Sequence, residues 1–591
     1  MNDMSAGVRL RPVDERTFRA HDGVDIFYRH WPAVAGPARG AILLFHRGHE
    51  HSGRMAHLVD ELALPDFDFF AWDARGHGRS PGARGDAPGF DTLVWDVQTF
   101  VDHLDAEHHV APQDIGIIAQ SVGAVVIATW VHDYAPAIRG MVLASPAFRV
   151  KLYVPFALPG LRMMRKLRGN FFVQSYVKSK FLTHDPERIA SYDSDPLLSR
   201  SISVNVLIGL QEAADRIVAD AQAITVPTQL LVSGADWVVH HAPQHAFFER
   251  LGARDKERHV LHGFLHDTLG ERDRAPAVAR VRSFVSRVFA APRVRANLLD
   301  ADQYGATREE ADALAARLPA LSPRRWYWAS TRAGLRLGGA LSEGIRLGHT
   351  TGFDSGSTLD YIYRNQTRGR TLLGRMIDRN YLNAIGWRGI RWRKVDVEAL
   401  LREATARLRA TGMPVNIVDI AAGHGRYVLD AVGIGSERPD SILLRDYADR
   451  NVEQGTALIR ERGLADIARF EHGDAFERGS LAAIAPRPTL GVVSGLYELV
   501  PDNASVRQSL SGLADAIPVG GFLVYTGQPW HPQLELIARA LVSHRGTAWI
   551  MRRRTQEELD QLVAAAGFRK VAQRIGESGI FTVSLAQRVA G

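Results

Sequence analysis

The sequence predicts an α/β protein in two parts, each a mostly parallel sheet covered by helices. Three observations carry this expectation. Residues 114–126 run from an apolar strand through Ala119-Gln120-Ser121-Val122-Gly123 into a stretch able to form a buried helix. Short apolar strands alternate with helical stretches on either side, as a parallel sheet with crossover helices requires. Residues 415–427 repeat the order of strand, turn and helix with another turn, Asp419-Ile420-Ala421-Ala422-Gly423-His424-Gly425. With 591 residues the chain exceeds the roughly 100–200 expected of a single domain.

The first part follows element by element. Residues 17–20 and 26–31, joined by His21-Asp22-Gly23, read as a hairpin. Residues 41–45 form a buried strand that ends in His46-Arg47-Gly48-His49-Glu50-His51-Ser52-Gly53-Arg54. The strand at 67–72 closes on Asp73-Ala74-Arg75-Gly76-His77-Gly78-Arg79-Ser80. A helix over 90–104 leads to the strand before Ser121, and later strands fall at 141–144, 229–232 and 259–261. A sharp strand-to-helix turn at Ser121 would lift its hydroxyl above the sheet edge. Ala119 and Gly123 are small enough for strand and helix to close around it.

These motifs, together with Ser233-Gly234-Ala235-Asp236 and Gly263-Phe264-Leu265-His266, resemble the α/β-hydrolase fold over residues 17–289. Within that fold they resemble the monoacylglycerol lipase and lysophospholipase branch. The chain order Ser121, Asp236, His266 matches the fold's triad. The resemblance implies Ser121 as nucleophile, His266 as base and then acid, and Asp236 as the group that fixes the imidazole. It also implies an oxyanion hole made by the N–H groups of Gly48 and Val122. Arg47 stands where the family has a small residue, so it is expected to reshape the hole or reach an anionic headgroup. His46, His49, His51 and His57 are read as loop-packing residues, with no metal assigned.

Residues 147–225 fall where this fold carries its lid. No Asp or Glu occurs between 134 and 184, while Arg149, Lys151, Arg162, Arg165, Lys166 and Arg168 interleave with Tyr153, Phe156, Met163, Met164 and Phe171. A surface resting on anionic lipid and a packed cap with a solvated basic rim both fit this pattern. Both keep an apolar channel above Ser121.

Residues 293–322 are acidic and alanine-rich and read as a linker with one short helix. Residues 323–411 read as a helical, basic cap or connector, with Arg324, Arg332, Arg364, Arg370, Arg391 and Arg393 beside Trp326, Tyr361, Trp387 and Trp392. Such a mixture permits phosphate or nucleobase contact, but a cap over the following domain is the favoured reading.

Residues 412–591 continue with strands at 441–444, 468–470, 491–494 and 521–525 and a closing hairpin from 568. This stretch resembles a Rossmann-like class I S-adenosylmethionine-dependent methyltransferase. The resemblance implies Asp419, Ala421, Gly423 and Gly425 along the methionine part of S-adenosyl-L-methionine. It implies Asp446 at the ribose hydroxyls, and Asp474 with Ala475 at the adenine. Ala421 replaces the first glycine of the family's turn. Tyr497 and Glu498, after the fourth strand, are candidates for the methyl-transfer site, Glu498 as base and Tyr497 as orienter.

Composition sets the outer bounds. Hydrophobic residues make up 46% and charged residues 23%, an ordinary globular balance, with a net charge of +7. The absence of cysteine removes disulfides, thiolate nucleophiles and Cys-based zinc sites, and suits a reducing cytoplasm. Residues 1–19 hold no apolar run of the signal-peptide kind, and no run is long enough to span a membrane. The expectation is a bifunctional enzyme of lipid metabolism, a serine ester hydrolase joined to a methyltransferase. Its ester substrate would be a lipid such as a monoacylglycerol or lysophospholipid, and its place the cytoplasm with peripheral contact at the inner membrane through the basic lid. The alternative is an RNA- or small-molecule-modifying methyltransferase with an accessory esterase or peptidase-like hydrolase domain.

Overall fold

The computed structural model describes residues 11–369, 371–432 and 438–590. The reading of residues 1–10 as free of an apolar run, and Arg370 of the basic stretch, lie outside the described residues. The chain divides into two units, Met1–Ala296 and Asn297–Gly591.

The first unit is built on ten strands among the described residues: β1 (Asp14–Arg19), β2 (Asp25–Trp31), β3 (Ala41–Phe45), β4 (Asp68–Trp72), β5 (Ile115–Gln120), β6 (Gly140–Ala144), β7 (Phe172–Gln174), β8 (Ser201–Ser203), β9 (Thr228–Ser233) and β10 (Lys256–Leu261). Eight of them form one sheet in the order β1-β2-β4-β3-β5-β6-β9-β10. Strands β3, β5, β6 and β9 are buried along their whole length, as strands of a parallel sheet covered on both faces must be. Ile42, Leu44, Ile118, Val142 and Leu231 pack with Val278, Val281 and Phe284 of the helix Ala275–Ala290 in one core. β1 is antiparallel at the edge and buries only Phe18.

Between β6 and β9 lie the β7–β8 ribbon and two contrasting helices. Val204–Ala219 buries Val204, Ile208, Leu210 and Ile217. Ala157–Arg168 buries none of its residues; Phe156, which precedes it, and Leu167 within it are 85% and 79% exposed. The insertion thus has a packed inner half and an unpacked outer half.

The second unit opens with the one short helix read for the linker, together with packing that the reading did not include. Residues 306–315 are helical, Leu299 packs against the core, and the Asp302 carboxylate accepts the Asn503 N–H at 2.8 Å. Asp302 and Glu310 are held by Asn503 and Arg553, while Asp300 and Asp312 stay more than half exposed. Five helices among the described residues follow, Pro323–Leu341, Glu343–Thr351, Gly356–Arg364, Leu372–Leu382 and Ile385–Ala410. The sheet then holds β11 (Asn416–Ile420), β12 (Ser441–Asp446), β13 (Ala468–His472), β14 (Leu490–Val493), β15 (Phe522–Gly527), β16 (Phe568–Ile575) and β17 (Thr582–Arg588). Their order is β13-β12-β11-β14-β15-β17-β16, with β17 antiparallel to both neighbours. The strand order reverses at β11 and β14, so a crevice opens at their carboxyl ends, where ligands bind in open α/β sheets. Among the described residues no helix is long and apolar enough to cross a membrane.

Candidate active sites

β5 ends at Ser121, whose backbone takes φ 55° and ψ −115° before the helix Val122–Tyr134 begins. That conformation is strained for any residue with a side chain, by about 1–3 kcal/mol. Gly123 allows the turn to close, since a Cβ there would lie 2.5 Å from the His46 carbonyl oxygen. The segments after β9 and β10 bring Asp236 and His266 to the same point. His266 Nε2 lies 2.7 Å from Ser121 Oγ, and its Nδ1 lies 2.8 Å from Asp236 Oδ2. Asp236 Oδ1 accepts the N–H groups of Val238 and Val239 at 2.7 and 3.0 Å. Burial pushes the Asp236 carboxyl up, but the His266 imidazole and those two N–H groups outweigh it and hold the carboxyl below its usual range. Asp236 is therefore an anion beside the imidazole at neutral pH.

The two segments named for the oxyanion hole are neighbours. Val122 is the first helical residue, so its N–H has no intrahelical partner. A Cβ on Gly48 would lie 2.9 Å from Val122 Cγ2. Arg47 corrects an expectation: its side chain turns into the protein instead of toward a headgroup. Its guanidinium donates to Glu50 at 2.9 and 2.5 Å and lies 3.3 Å from Asp267 Oδ2. Asp267 also accepts from Arg188 at 2.7 Å and from Gln120 Nε2 at 3.0 Å. Burial raises the Asp267 carboxyl, and the charges of Arg188 and Arg47 overcome this and set it far below its usual range.

This buried network ties the residue before Ser121 to the residue after His266. Sequence reading gave no role to Gln120, Asp267, Arg188 or Glu50, although three of them adjoin residues it had singled out. Three of the four loop histidines have partners, while His49 Nδ1 is buried without one among the described residues. His46 Nδ1 donates to the Arg47 carbonyl at 2.6 Å, His51 faces Asp195 at 2.9 Å, and His57 Nε2 meets the Leu269 carbonyl at 2.8 Å.

In the second unit a cavity of about 570 Å³ opens at the crevice between β11 and β14. Ala421, Gly423, Gly425, Asp446, Asp474 and Ala475 all line it. The turn is left-handed at Ala421, Gly423 and Gly425, with φ of 57°, 60° and 69°. Ala421 thus adopts the conformation its glycine counterpart would take without strain. Gly425 has no such latitude, because a Cβ there would lie 2.3 Å from Leu444 Cδ1. Asp446 accepts the N–H groups of Gly423 and Ala448, each at 3.0 Å, and Asp474 accepts that of Phe476 at 2.8 Å.

Asp419 sits beneath the turn, fully buried, with neither carboxylate oxygen in hydrogen-bond geometry with a donor among the described residues. Burial pushes its carboxyl well above the usual range, and the nearby Tyr427 hydroxyl offsets only part of that. Asp419 does not itself line the cavity, so its unpartnered carboxyl would act on a ligand from beneath the turn, where it favours a positively charged group. Ser355, Gly356 and Ser357 close the cavity from the helical region, which sequence reading did not foresee. Asp360 of the same helix accepts from Arg426 at 2.5 Å and so fixes it against the turn.

Glu498 and Tyr497 part company. Glu498 is buried, accepts the Thr526 hydroxyl at 2.8 Å, lies 3.8 Å from Arg393, and faces a second cavity. Tyr497 points the other way, into the core formed with Val506 and Leu510, where its hydroxyl donates to Ser509 at 3.1 Å. It lines neither cavity, which removes it as an orienter. An aromatic ring one residue from Glu498 in a tight turn is directed to the opposite side.

Comparison with known proteins divides the chain in the same way. The family described as "Putative methyltransferase" matches residues 281–588, and the family described as "Serine aminopeptidase, S33" matches residues 36–273. The protein named "Uncharacterized protein YnbC" of Escherichia coli (strain K12) is 53% identical over 575 residues, 97% of this chain and 98% of that protein. The monoacylglycerol lipase of Mycolicibacterium smegmatis is 26% identical over 46% of this chain and 96% of its own length. The crystal structure of Paleococcus ferrophilus monoacylglycerol lipase covers 45% of this chain and 98% of its own at 23% identity, with a TM-score of 0.41.

Proposed function

We propose that this chain, which belongs to the family described as "Putative methyltransferase" and carries a hydrolase domain before it, combines two activities. The first is hydrolysis of lipid esters such as monoacylglycerols or lysophospholipids by Ser121, His266 and Asp236. The second is S-adenosyl-L-methionine-dependent methyl transfer. The observation that carries the first is the unbroken hydrogen-bonded series from Asp236 through His266 to a serine held at φ 55°.

His266 takes the Ser121 proton as the hydroxyl attacks the ester carbonyl, and later returns a proton to the departing alcohol. The Asp236 carboxylate keeps the imidazole in the tautomer that accepts at Nε2 and stabilises its cation. The N–H groups of Val122 and Gly48 meet the charge that develops on the carbonyl oxygen. In the second unit Asp419 and the turn 421–425 would hold the methionine end of the cofactor, Asp446 the ribose and Asp474 the adenine. When bound, S-adenosyl-L-methionine supplies an electrophilic methyl group. The residues around it keep water out and align the acceptor, which is most of what such a transfer needs.

The test is release of oleate from 1-monooleoylglycerol by the full chain, run beside leucine p-nitroanilide. Turnover of the ester with none of the anilide is the expected result, and the reverse preference would replace a lipase-like activity with a peptidase. Gly48→Ala should lower ester turnover by up to about 10²-fold with the melting temperature nearly unchanged, because the new methyl presses on Val122 and shifts the donors. Unchanged turnover would remove Gly48 from the hole.

The exposed helix Ala157–Arg168, with Phe156 and Leu167 uncovered among Arg162, Arg165, Lys166 and Arg168, supports a role at an anionic membrane surface. The Phe156→Asp, Leu167→Asp double variant should bind vesicles of phosphatidylglycerol and phosphatidylcholine at least about tenfold more weakly. Equal binding by sedimentation would leave this helix without a membrane role.

A further inference from the structure

A second cavity lies in the methyltransferase part, beside the first. It has a volume of about 610 Å³ and shares Asp354, Leu359, Gly495, Leu499 and Trp549 with the cavity that holds the glycine turn. The two spaces therefore adjoin, one lined by the residues read as cofactor-binding and the other almost wholly apolar. Leu341, Ile345, Ile377, Ile390, Ile537 and Phe581 contribute to its apolar wall. A chamber of this size suits a ligand of lipid-fragment dimensions.

Its polar groups are few and incompletely paired. Glu498 Oε2, Arg393 Nε, Gln528 Nε2 and Trp549 Nε1 are buried without a hydrogen-bond partner among the described residues, and all four side chains line the cavity. Glu498, Arg393 and Gln528 are 7%, 4% and 5% exposed, so burial without a partner carries a real penalty at each. They gather toward the cofactor side: a Cβ on Gly495, which lines both cavities, would lie 2.9 Å from Arg393 Nη1. His531 adds no second cation, since burial pushes its imidazole down to about 4 and Nδ1 accepts the Gln533 N–H at 3.0 Å.

We propose that this cavity is the acceptor site, and that it takes an amphiphile with an apolar body and a weakly acidic hydroxyl, such as a phenol or enol, which is O-methylated. The proposal rests on the methyltransferase reading above. A hydroxyl donates one hydrogen bond and accepts others, which matches one free carboxylate oxygen beside several free N–H groups. A carboxylate acceptor would set a second negative charge against Glu498, and an ammonium acceptor would lie against Arg393. In the transfer a lone pair of the hydroxyl oxygen forms the new O–C bond while the methyl C–S bond breaks and its electron pair passes to sulfur. The hydroxyl proton goes to Glu498 Oε2, the carboxylate oxygen without a partner among the described residues, while Arg393 lies 3.8 Å from the other oxygen.

The full chain is to be incubated with methyl-tritiated S-adenosyl-L-methionine and, in separate arms, 4-octylphenol, octanoic acid and octylamine. Cofactor and phenol binding are measured by calorimetry on the same samples. Label is expected in 4-octylphenol at a rate at least tenfold above the other two. Glu498→Gln should lower that rate by about 10²-fold or more, the usual scale for loss of a general base, with cofactor affinity retained. Gly334 lies on the cavity wall where a Cβ would meet nothing within 4 Å, so Gly334→Leu should fold normally yet weaken phenol binding at least tenfold. Label in octanoic acid or octylamine at a comparable rate, or a Glu498→Gln enzyme as fast as wild type, overturns the proposal. Bound cofactor with no transfer to the phenol overturns it alone, whereas no cofactor binding at all overturns the methyltransferase reading with it.

Discussion

Ser121→Ala is expected to abolish hydrolysis of 1-monooleoylglycerol, with turnover falling by about 10⁴-fold or more. His266 Nε2 would be left without the hydroxyl it faces at 2.7 Å, while the donors of Val122 and Gly48 remain and account for whatever activity survives. The melting temperature should hardly move, because alanine meets the same φ of 55° that serine already tolerates. Asp236→Asn should approach the same loss by a different route. An amide at that position cannot stabilise the imidazolium, and can orient the ring in the wrong tautomer. Ester turnover by Ser121→Ala within tenfold of wild type would mean that another group carries the chemistry.

Asp419→Asn is expected to act in opposite directions on the ligand-free and ligand-bound protein. The folded-state pKa of Asp419 lies well above its ordinary value of 3.8, so folding favours its protonated form. Its contribution to stability is therefore fullest below 3.8 and declines as the pH rises above it. At neutral pH the ligand-free wild type holds a buried carboxyl without a partner, a burden of about 1–3 kcal/mol that an uncharged asparagine reduces. The variant should melt a few degrees higher than wild type at pH 8, with the difference shrinking toward pH 5. S-adenosyl-L-methionine at 100 times its dissociation constant should add about 2.7 kcal/mol to the wild type, and little to the variant. Scanning calorimetry of both proteins with and without the cofactor reads all of this. A variant that melts lower and still gains the full increment would show that Asp419 has no part in holding the cofactor.

How much of this was legible in the sequence depended on how local the signal was. Ser121 announced itself because strand, small residue, serine, glycine and helix stand within a few positions. Asp236 and His266 followed from the resemblance of their short motifs to the α/β-hydrolase fold and from the chain order that the fold implies. Asp419, Asp446 and Asp474 were read from a resemblance that places an acid at or near the end of each of three successive strands. The Arg47 side chain was not, because its direction depends on Asp267, which is 220 positions away and reaches it only after the sheet forms. Tyr497 and Glu498 share a turn, and sequence alone cannot tell which of two adjacent side chains faces the crevice. Ser355–Ser357 and Asp360 belong to a helical region whose basic, aromatic composition suggested a cap but not which helix would meet the glycine turn. The segment of residues 293–322 read as a linker with one short helix because its acids and alanines are those of a solvated helix. Its fixing residues, Leu299 and Asp302, are isolated positions without a period.

The most direct test of the central claim is to treat the folded full-length chain with a fluorophosphonate and locate the adduct by mass spectrometry of its peptides. A serine becomes reactive to such a reagent only when a base and an oxyanion hole serve it together. The account predicts one adduct, on Ser121, that is absent after Ser121→Ala and much slower to form after Gly48→Ala. An unlabelled wild-type chain, or label on a different serine, would contradict it.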